Sequence, residues 1–82
     1  MMRVQVRYFA SLAERTGCRT ESLELNDGSD VAELWRVLVL RHPSLTDIGL
    51  RPLVACDMAY ADWDSTLDGV AEVAFLPPVS GG

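Results

Sequence analysis

Only one stretch of this 82-residue chain has the periodicity of a long helix, and patterns typical of strands lie on both sides of it. From Asp30 to about Arg41, apolar side chains recur at i, i+3, i+4 and i+7, as on the buried face of an amphipathic helix. Ser29 or Asp30 can cap its N-terminus, and Pro43 prevents its continuation past His42. A single helix between strands predicts an α+β fold, in which a mixed sheet packs its apolar face on the helix.

Strand patterns account for most of the remaining chain. The turn signals Asp57 and Asp68-Gly69 separate the later runs from one another. The first and last runs are the most apolar, so we expect them to lie in the centre of the sheet. The predicted strands are residues 2–9, 19–25, 53–56, 58–62 and 72–76.

Size and charge exclude several classes of protein. Eighty-two residues are enough for one domain and too few for two. The net charge is −5 and all seven basic residues are Arg, which argues against a nucleic-acid-binding surface. No apolar run approaches the roughly 20 residues that span a bilayer, so we expect no membrane segment and a cytoplasmic location.

The residues that could carry catalysis or bind a metal are scattered along the sequence. Cys18 and Cys56 form no Cys-x-x-Cys or Cys/His ligand set, and we expect free thiols. His42 is the only histidine, and its position favours a helix-end role over that of a catalytic base. Asp62 and Asp64 could share a strand face as an acid/base pair, but an exposed acidic strand end is the favoured interpretation. We therefore expect no metal site and no active site within the chain.

The C-terminus is unusual in its composition. Pro77 and Pro78 end the last strand, because each fixes φ and lacks a backbone N–H. Gly81 and Gly82 have no Cβ, so the chain end is narrow enough to enter a tunnel-shaped active site. The alternative is an ordinary frayed terminus. We divide the chain into a domain over residues 1–76 and a protruding tail over residues 77–82.

The closing segment, residues 72–82 with the sequence EVAFLPPVSGG, resembles the end of the molybdopterin synthase small subunit, a ubiquitin-like sulfur carrier. The resemblance extends to Tyr8-Phe9-Ala10 and to the order of helix and hairpin, so it covers essentially the whole chain. It implies a β-grasp fold of about five strands on one main helix. It also implies that Gly82 is adenylated, converted to a thiocarboxylate and used to form the dithiolene of molybdopterin from a cyclic pyranopterin monophosphate, with Gly81 keeping the tail narrow.

The resemblance implies two protein partners and no bound cofactor. One is the synthase large subunit, in a heterotetramer with two copies of each subunit. The other is a ubiquitin-activating-type adenylating and sulfurtransferase enzyme, which uses ATP. Strand alternation allows only one of Phe75 and Leu76 to face the helix, and we place Phe75 in the core and Leu76 at the interface. The implied partner-binding residues are Tyr60, Phe75, Leu76, Pro77, Pro78 and Val79.

Other functions are compatible with the same tail. The chain could carry sulfur for thiamine synthesis or tRNA thiolation, or it could be a ubiquitin-like modifier that is joined to lysines of other proteins. It also departs from the family pattern at Asp57, where Asn is frequent, and at the Asp68-Gly69 turn, which is shifted by one residue. These departures concern the local turn geometry and leave the tail intact.

Overall fold

The structure is a computed structural model and describes residues 1–49 and 51–78. Its five strands and its long helix follow one another in the predicted order. They are β1 (Met2–Tyr8), α1 (Ser11–Thr16), β2 (Thr20–Leu25), α2 (Val31–Arg41), a 3₁₀ helix (Pro43–Asp47), β3 (Leu53–Cys56), β4 (Ala59–Tyr60) and β5 (Glu72–Leu76).

The five strands form one mixed sheet in the order β2-β1-β5-β3-β4. The central pair, β1 and β5, is parallel, and the other neighbouring pairs are antiparallel. The first and last strands therefore lie together inside the sheet, as the sequence predicts. With α2 packed across one face, the β-grasp arrangement is confirmed.

The core lies between α2 and one face of the sheet. Asp30 caps α2, since its side chain accepts a hydrogen bond of 2.9 Å from the backbone N–H of Glu33. The buried side chains of α2 belong to the same cluster as those of β1 and β5. Within residues 1–49 and 51–78, no helix is long and apolar enough to cross a membrane. The cluster members from α2, β1 and β5 are Val31, Leu34, Leu38, Val4, Val6, Tyr8, Val73 and Phe75.

The hairpin between β3 and β4 turns on two residues with positive φ. Asp57 has φ 49° and Met58 has φ 72°, the conformation of a type I′ turn. The Asp57 carboxylate accepts hydrogen bonds from the backbone N–H groups of Ala71 and Glu72, at distances of 2.9 to 3.2 Å. Asp57 therefore ties this turn to the start of β5.

The predicted strand over residues 58–62 is too long, because Met58 belongs to the turn and the chain leaves the sheet after Tyr60. Asp62 and Asp64 do not share a strand face. They lie in a turn in which the backbone N–H of Ser65 donates to the carbonyl of Asp62 and the N–H of Asp62 donates to the Ser65 hydroxyl. The strand assignment behind both interpretations of these two residues is therefore wrong, although both side chains are exposed, as the favoured interpretation predicts.

Candidate docking face and tail root

The central strand β5 divides its side chains between the two faces of the sheet. Val73 and Phe75 are fully buried against α2, and Phe75 packs on Trp35 with ring centroids 5.0 Å apart. Ala74 and Leu76 alternate with them and so point to the opposite face, which no helix covers in residues 1–49 and 51–78. That open face is the candidate docking surface.

Strand register extends this surface across the sheet, since residues directly opposite each other in neighbouring strands share a face. Leu53 of β3 pairs with Leu76, and Ala55 pairs with both Ala74 and Tyr60. Tyr60 is 76% exposed and Leu53 is 37% exposed, whereas Ala55 is half-buried and Ala74 is buried.

Phe9 completes the surface on the other side of β5. Its backbone N–H donates to the carbonyl of Phe75 at 3.1 Å, which continues the β1–β5 pairing by one residue. Its ring is 39% exposed and lies 6.0 Å from the guanidinium carbon of Arg7. We call the set Phe9, Leu53, Ala55, Tyr60, Ala74 and Leu76 the docking strip.

The tail begins at the end of the docking strip. Leu76 is both the last residue of β5 and a member of the strip, and Pro77 and Pro78 follow as half-buried residues outside the sheet. A salt bridge of 3.9 Å between Arg7 and Glu72 lies beside the strip. A partner that covers the strip would therefore also lie next to Pro77 and Pro78, where the tail begins.

A second group of functional side chains lies where β2 meets the end of α2. Glu21 Oε2 accepts a hydrogen bond from the Tyr8 hydroxyl at 2.6 Å and lies 2.6 Å from His42 Nε2. Arg41 forms a salt bridge of 3.2 Å with Oε1 of the same carboxylate. The Cys18 sulfur lies 3.9 Å from Glu21 Oε2. We call these five residues the polar cluster.

Burial and hydrogen bonding shift two pKa values in the polar cluster. Burial, together with the hydrogen bond to Glu21, raises the pKa of Tyr8 far above its ordinary value, so the phenol remains a donor. Burial alone would raise the pKa of Glu21, but hydrogen bonds from Tyr8 and His42 and the charge of Arg41 hold it below its ordinary value of 4.5. Glu21 is therefore a carboxylate at neutral pH.

The chain as a whole is similar to known proteins. The model of the ThiS family matches residues 6–82, nearly the entire chain. The chain belongs to the ThiS family. Among curated relatives, the human molybdopterin synthase sulfur carrier subunit is 33% identical over 85 residues, covering 100% of this chain and 97% of that protein.

Solved structures similar to this ThiS-family chain include two kinds of protein. The small archaeal modifier protein SAMP1 of Haloferax volcanii is 29% identical, with a TM-score of 0.82 over 99% of this chain and 100% of that one. Another is a protein–protein complex of subunits 1 and 2 of the molybdopterin-converting factor from Helicobacter pylori. The matched chain of that complex is 26% identical, with a TM-score of 0.65 over 99% of this chain and 100% of that one.

The structure places most of the predicted partner-binding residues of this ThiS-family chain together. Tyr60 and Leu76 lie on the docking strip, and Pro77 and Pro78 continue from it. Phe75 does not belong to the contact set, because its side chain is 0% exposed and packs in the core. Its predicted core position is confirmed. The predictions for Val79, Gly81 and Gly82 lie outside the described residues.

Sequence reasoning did not select three residues that the structure brings into these sites. Phe9 could have been found from the alternation of β1, which places it opposite the buried Tyr8. Leu53 joins the strip through the β3–β5 register, which no local pattern encodes. Glu21 had no signal, because it meets His42 only after β2 and α2 pack together. His42 does end α2, as predicted, but with a carboxylate beside it.

Proposed function

We propose that the chain is the sulfur carrier subunit of a molybdopterin synthase. The observation that carries the proposal is the direct continuity between a partly exposed apolar strip and the root of a Gly-Gly tail, in a chain similar over its full length to a sulfur carrier subunit. In this proposal the domain docks on the synthase large subunit and Gly82 is the reacting group.

The proposed chemistry uses the terminal carboxylate as a carrier. A carboxylate is a poor electrophile, so a partner enzyme first joins it to AMP from ATP and releases pyrophosphate. A sulfur nucleophile then attacks the acyl carbon, AMP leaves, and a thiocarboxylate remains on Gly82. The thiocarboxylate donates sulfur to a cyclic pyranopterin monophosphate, which builds the dithiolene. ATP is bound by the partner, so this chain needs no cofactor of its own.

Docking on the large subunit would use the docking strip as its apolar centre. Tyr60 and Leu76 are the side chains best suited to act as anchors, because one is aromatic and widely exposed and the other joins the strip to the tail. Such anchors contribute on the order of 1 to 4 kcal/mol each when they are buried at an interface. The adenylating enzyme would take the same tail, and the complete synthase would contain two copies of each subunit.

Mass spectrometry of the intact chain tests the chemical part of the proposal. After co-expression with an adenylating enzyme and a sulfur source, we expect a species heavier by one exchange of oxygen for sulfur, located at Gly82. Deletion of Gly82 serves as the control and should abolish the species while the fold is retained. Failure to detect it in a system that thiocarboxylates a known carrier would contradict the proposal.

A second function is favoured by the likeness to SAMP1, a modifier protein. The same activated tail would then be joined to lysine amines of other proteins through an isopeptide bond. The chain has no lysine of its own and could not be extended through an internal side-chain amine. Isopeptide-linked adducts on many cellular proteins would support this second function, whereas one stoichiometric partner would support the synthase.

A further inference from the structure

We propose that Cys18, Glu21 and His42 bind a divalent transition-metal ion, with Zn²⁺ as the ion that best fits these ligands. The sulfur, one carboxylate oxygen and one imidazole nitrogen lie within 4.8 Å of one another, and all three residues are half-buried. This inference concerns the polar cluster and is independent of the function proposed for the tail.

The chemistry of the three ligands matches Zn²⁺. Thiolate, imidazole and carboxylate are the ligand types that zinc takes in proteins, and three protein ligands leave the fourth tetrahedral position for water. Ions that prefer six or more oxygen ligands, such as Mg²⁺ and Ca²⁺, would gain little from a sulfur and a nitrogen. The set therefore selects a borderline-soft cation.

The distances are close to those of a tetrahedral site. Zinc bonds of about 2.0 to 2.3 Å place neighbouring ligand atoms roughly 3.3 to 3.6 Å apart. The Cys18 sulfur is 3.9 Å from Glu21 Oε2 and must approach slightly. His42 Nε2 is 2.6 Å from the same oxygen and must move away by less than about 1 Å, consistent with those bond lengths. The Cys18 sulfur and His42 Nε2 lie within 4.8 Å of each other and must also reach this spacing.

The carboxylate at the centre of the site is already held in place. The Tyr8 hydroxyl donates to Oε2 and Arg41 lies 3.2 Å from Oε1, so two neighbours fix the orientation of Glu21. Such hydrogen bonds to a ligating carboxylate are a regular feature of metal sites and raise their affinity. Of the three ligands, Cys18 lines an open groove together with Tyr8 and Gly17, so this side of the site faces solvent.

Binding exchanges protons for the metal. The Cys18 S–H bond breaks, its proton goes to solvent and a sulfur–zinc bond forms. The proton that His42 Nε2 donates to Glu21 leaves to solvent while Nδ1 takes one up, so the neutral imidazole binds the ion through the freed Nε2 lone pair. The hydrogen bond between His42 and Glu21 is replaced by two bonds to the ion. Affinity should therefore fall as the pH is lowered, because protons compete for the thiolate and the imidazole.

A titration of the full chain with Co²⁺, a spectroscopic substitute for Zn²⁺, tests the site. We expect one ion per chain, with a thiolate-to-cobalt charge-transfer band that Zn²⁺ removes by displacement. Cys18→Ser should lose the band, and His42→Gln should weaken binding at least about tenfold. Cys56→Ser is the matched control, because Cys56 lies on β3 outside the cluster, and it should bind like the wild type.

Thermal unfolding with and without Zn²⁺ gives a second readout that does not depend on the cobalt spectrum. Zn²⁺ should raise the Tm of the wild type and of Cys56→Ser by several degrees and leave that of Cys18→Ser unchanged, since a ligand stabilises only the state that binds it. Each variant is compared with its own metal-free form, so a less stable variant remains informative. A missing thiolate band, or a band that persists in Cys18→Ser, would overturn the proposal.

Discussion

Among single residues, Tyr60 offers the most direct test of the proposed docking. It is 76% exposed on β4, a strand of only two residues at the edge of the sheet. No hydrogen bond or core contact in residues 1–49 and 51–78 requires its side chain, so its removal should leave the domain intact. A large aromatic group in such a position is typical of an interface anchor.

Tyr60→Ala should weaken binding to the synthase large subunit by about 1 to 3 kcal/mol, roughly 5- to 150-fold in Kd. The physical reason is the loss of aromatic surface that the partner would bury. Isothermal titration calorimetry measures the change. Met58→Ala is the control, since Met58 is 94% exposed in the adjacent turn but lies off the docking strip. Equal losses in both variants would contradict the assignment of the strip.

Glu21 combines several hydrogen bonds and a salt bridge in one side chain. It is only 14% exposed and is bound by Tyr8, His42 and Arg41 together. Its depressed pKa means that the folded state favours the carboxylate more than the unfolded chain does. The stabilisation is complete above the ordinary pKa of the unfolded chain and is lost as the pH falls through the lower pKa of the folded state.

Glu21→Gln should therefore lower the free energy of unfolding at pH 7 by about 1 to 3 kcal/mol, through loss of charge-assisted hydrogen bonds. The difference in the free energy of unfolding between Glu21→Gln and the wild type should shrink as the pH falls below 4.5, because protonation of Glu21 then begins to favour the unfolded chain. Urea unfolding at a series of pH values measures this difference. Glu24→Gln, which breaks an exposed salt bridge of 3.2 Å to Arg3, should change stability by less than about 1 kcal/mol. A pH-independent difference would contradict the account.

At the scale of elements, the two faces of β5 have different roles: one packs in the core and stabilises the fold, and the other contributes to the proposed docking strip. Its alternation assigns Val73 and Phe75 to the core and Leu76 to the docking strip, and its pairing with both β1 and β3 holds that division fixed. A shift of one residue in register would reverse every side chain. The parallel pairing with β1 also brings Phe9 and the tail root to the same end of the sheet.

Phe75→Ala should cost about 3 to 5 kcal/mol of stability, because a fully buried aromatic ring leaves a cavity. Leu76→Ala should cost less, since Leu76 is half-buried, but should weaken binding to the large subunit. Urea unfolding and calorimetry on the two variants measure both quantities. If Leu76→Ala proved the more destabilising of the two and bound normally, the assignment of faces along β5 would be wrong.

The β3–β4 hairpin carries backbone strain at its turn. Met58 has φ 72°, a conformation in which a residue with a side chain is less stable than glycine by about 1 to 2 kcal/mol. Its side chain is exposed and contributes no core contact. The strain therefore has no compensation from the Met58 side chain.

Met58→Gly should raise the free energy of unfolding by about 0.5 to 1 kcal/mol, after subtraction of the extra backbone entropy of glycine. Met58→Ala keeps a Cβ and should give no such gain. Thermal unfolding of the two variants makes the comparison. A loss of stability in Met58→Gly would show that the turn is not strained.

At the scale of the whole molecule, periodicity and turn residues predict a mixed sheet packed on one long helix, and the family resemblance supplies the β-grasp fold. The alternation of β1, the capped helix and the turns at Asp57 and Asp68-Gly69 specify the elements, and their apolar content identifies the central strands. The sites required tertiary packing. Leu53 reaches the docking strip through register, and Cys18, Glu21 and His42 meet although His42 is 21 residues from Glu21. The Asp62 and Asp64 error arose because a strand pattern continued past the point where the chain leaves the sheet.

A single-turnover transfer reaction tests the central claim most directly. The chain is prepared with a thiocarboxylate at Gly82, mixed with the synthase large subunit and cyclic pyranopterin monophosphate, and followed by intact mass. We predict that the chain returns to the mass of its carboxylate form as a dithiolene-containing pterin appears, with one sulfur lost per chain. A thiocarboxylate that persists in the presence of an active large subunit, or that is consumed only through isopeptide bonds to other proteins, would contradict the account.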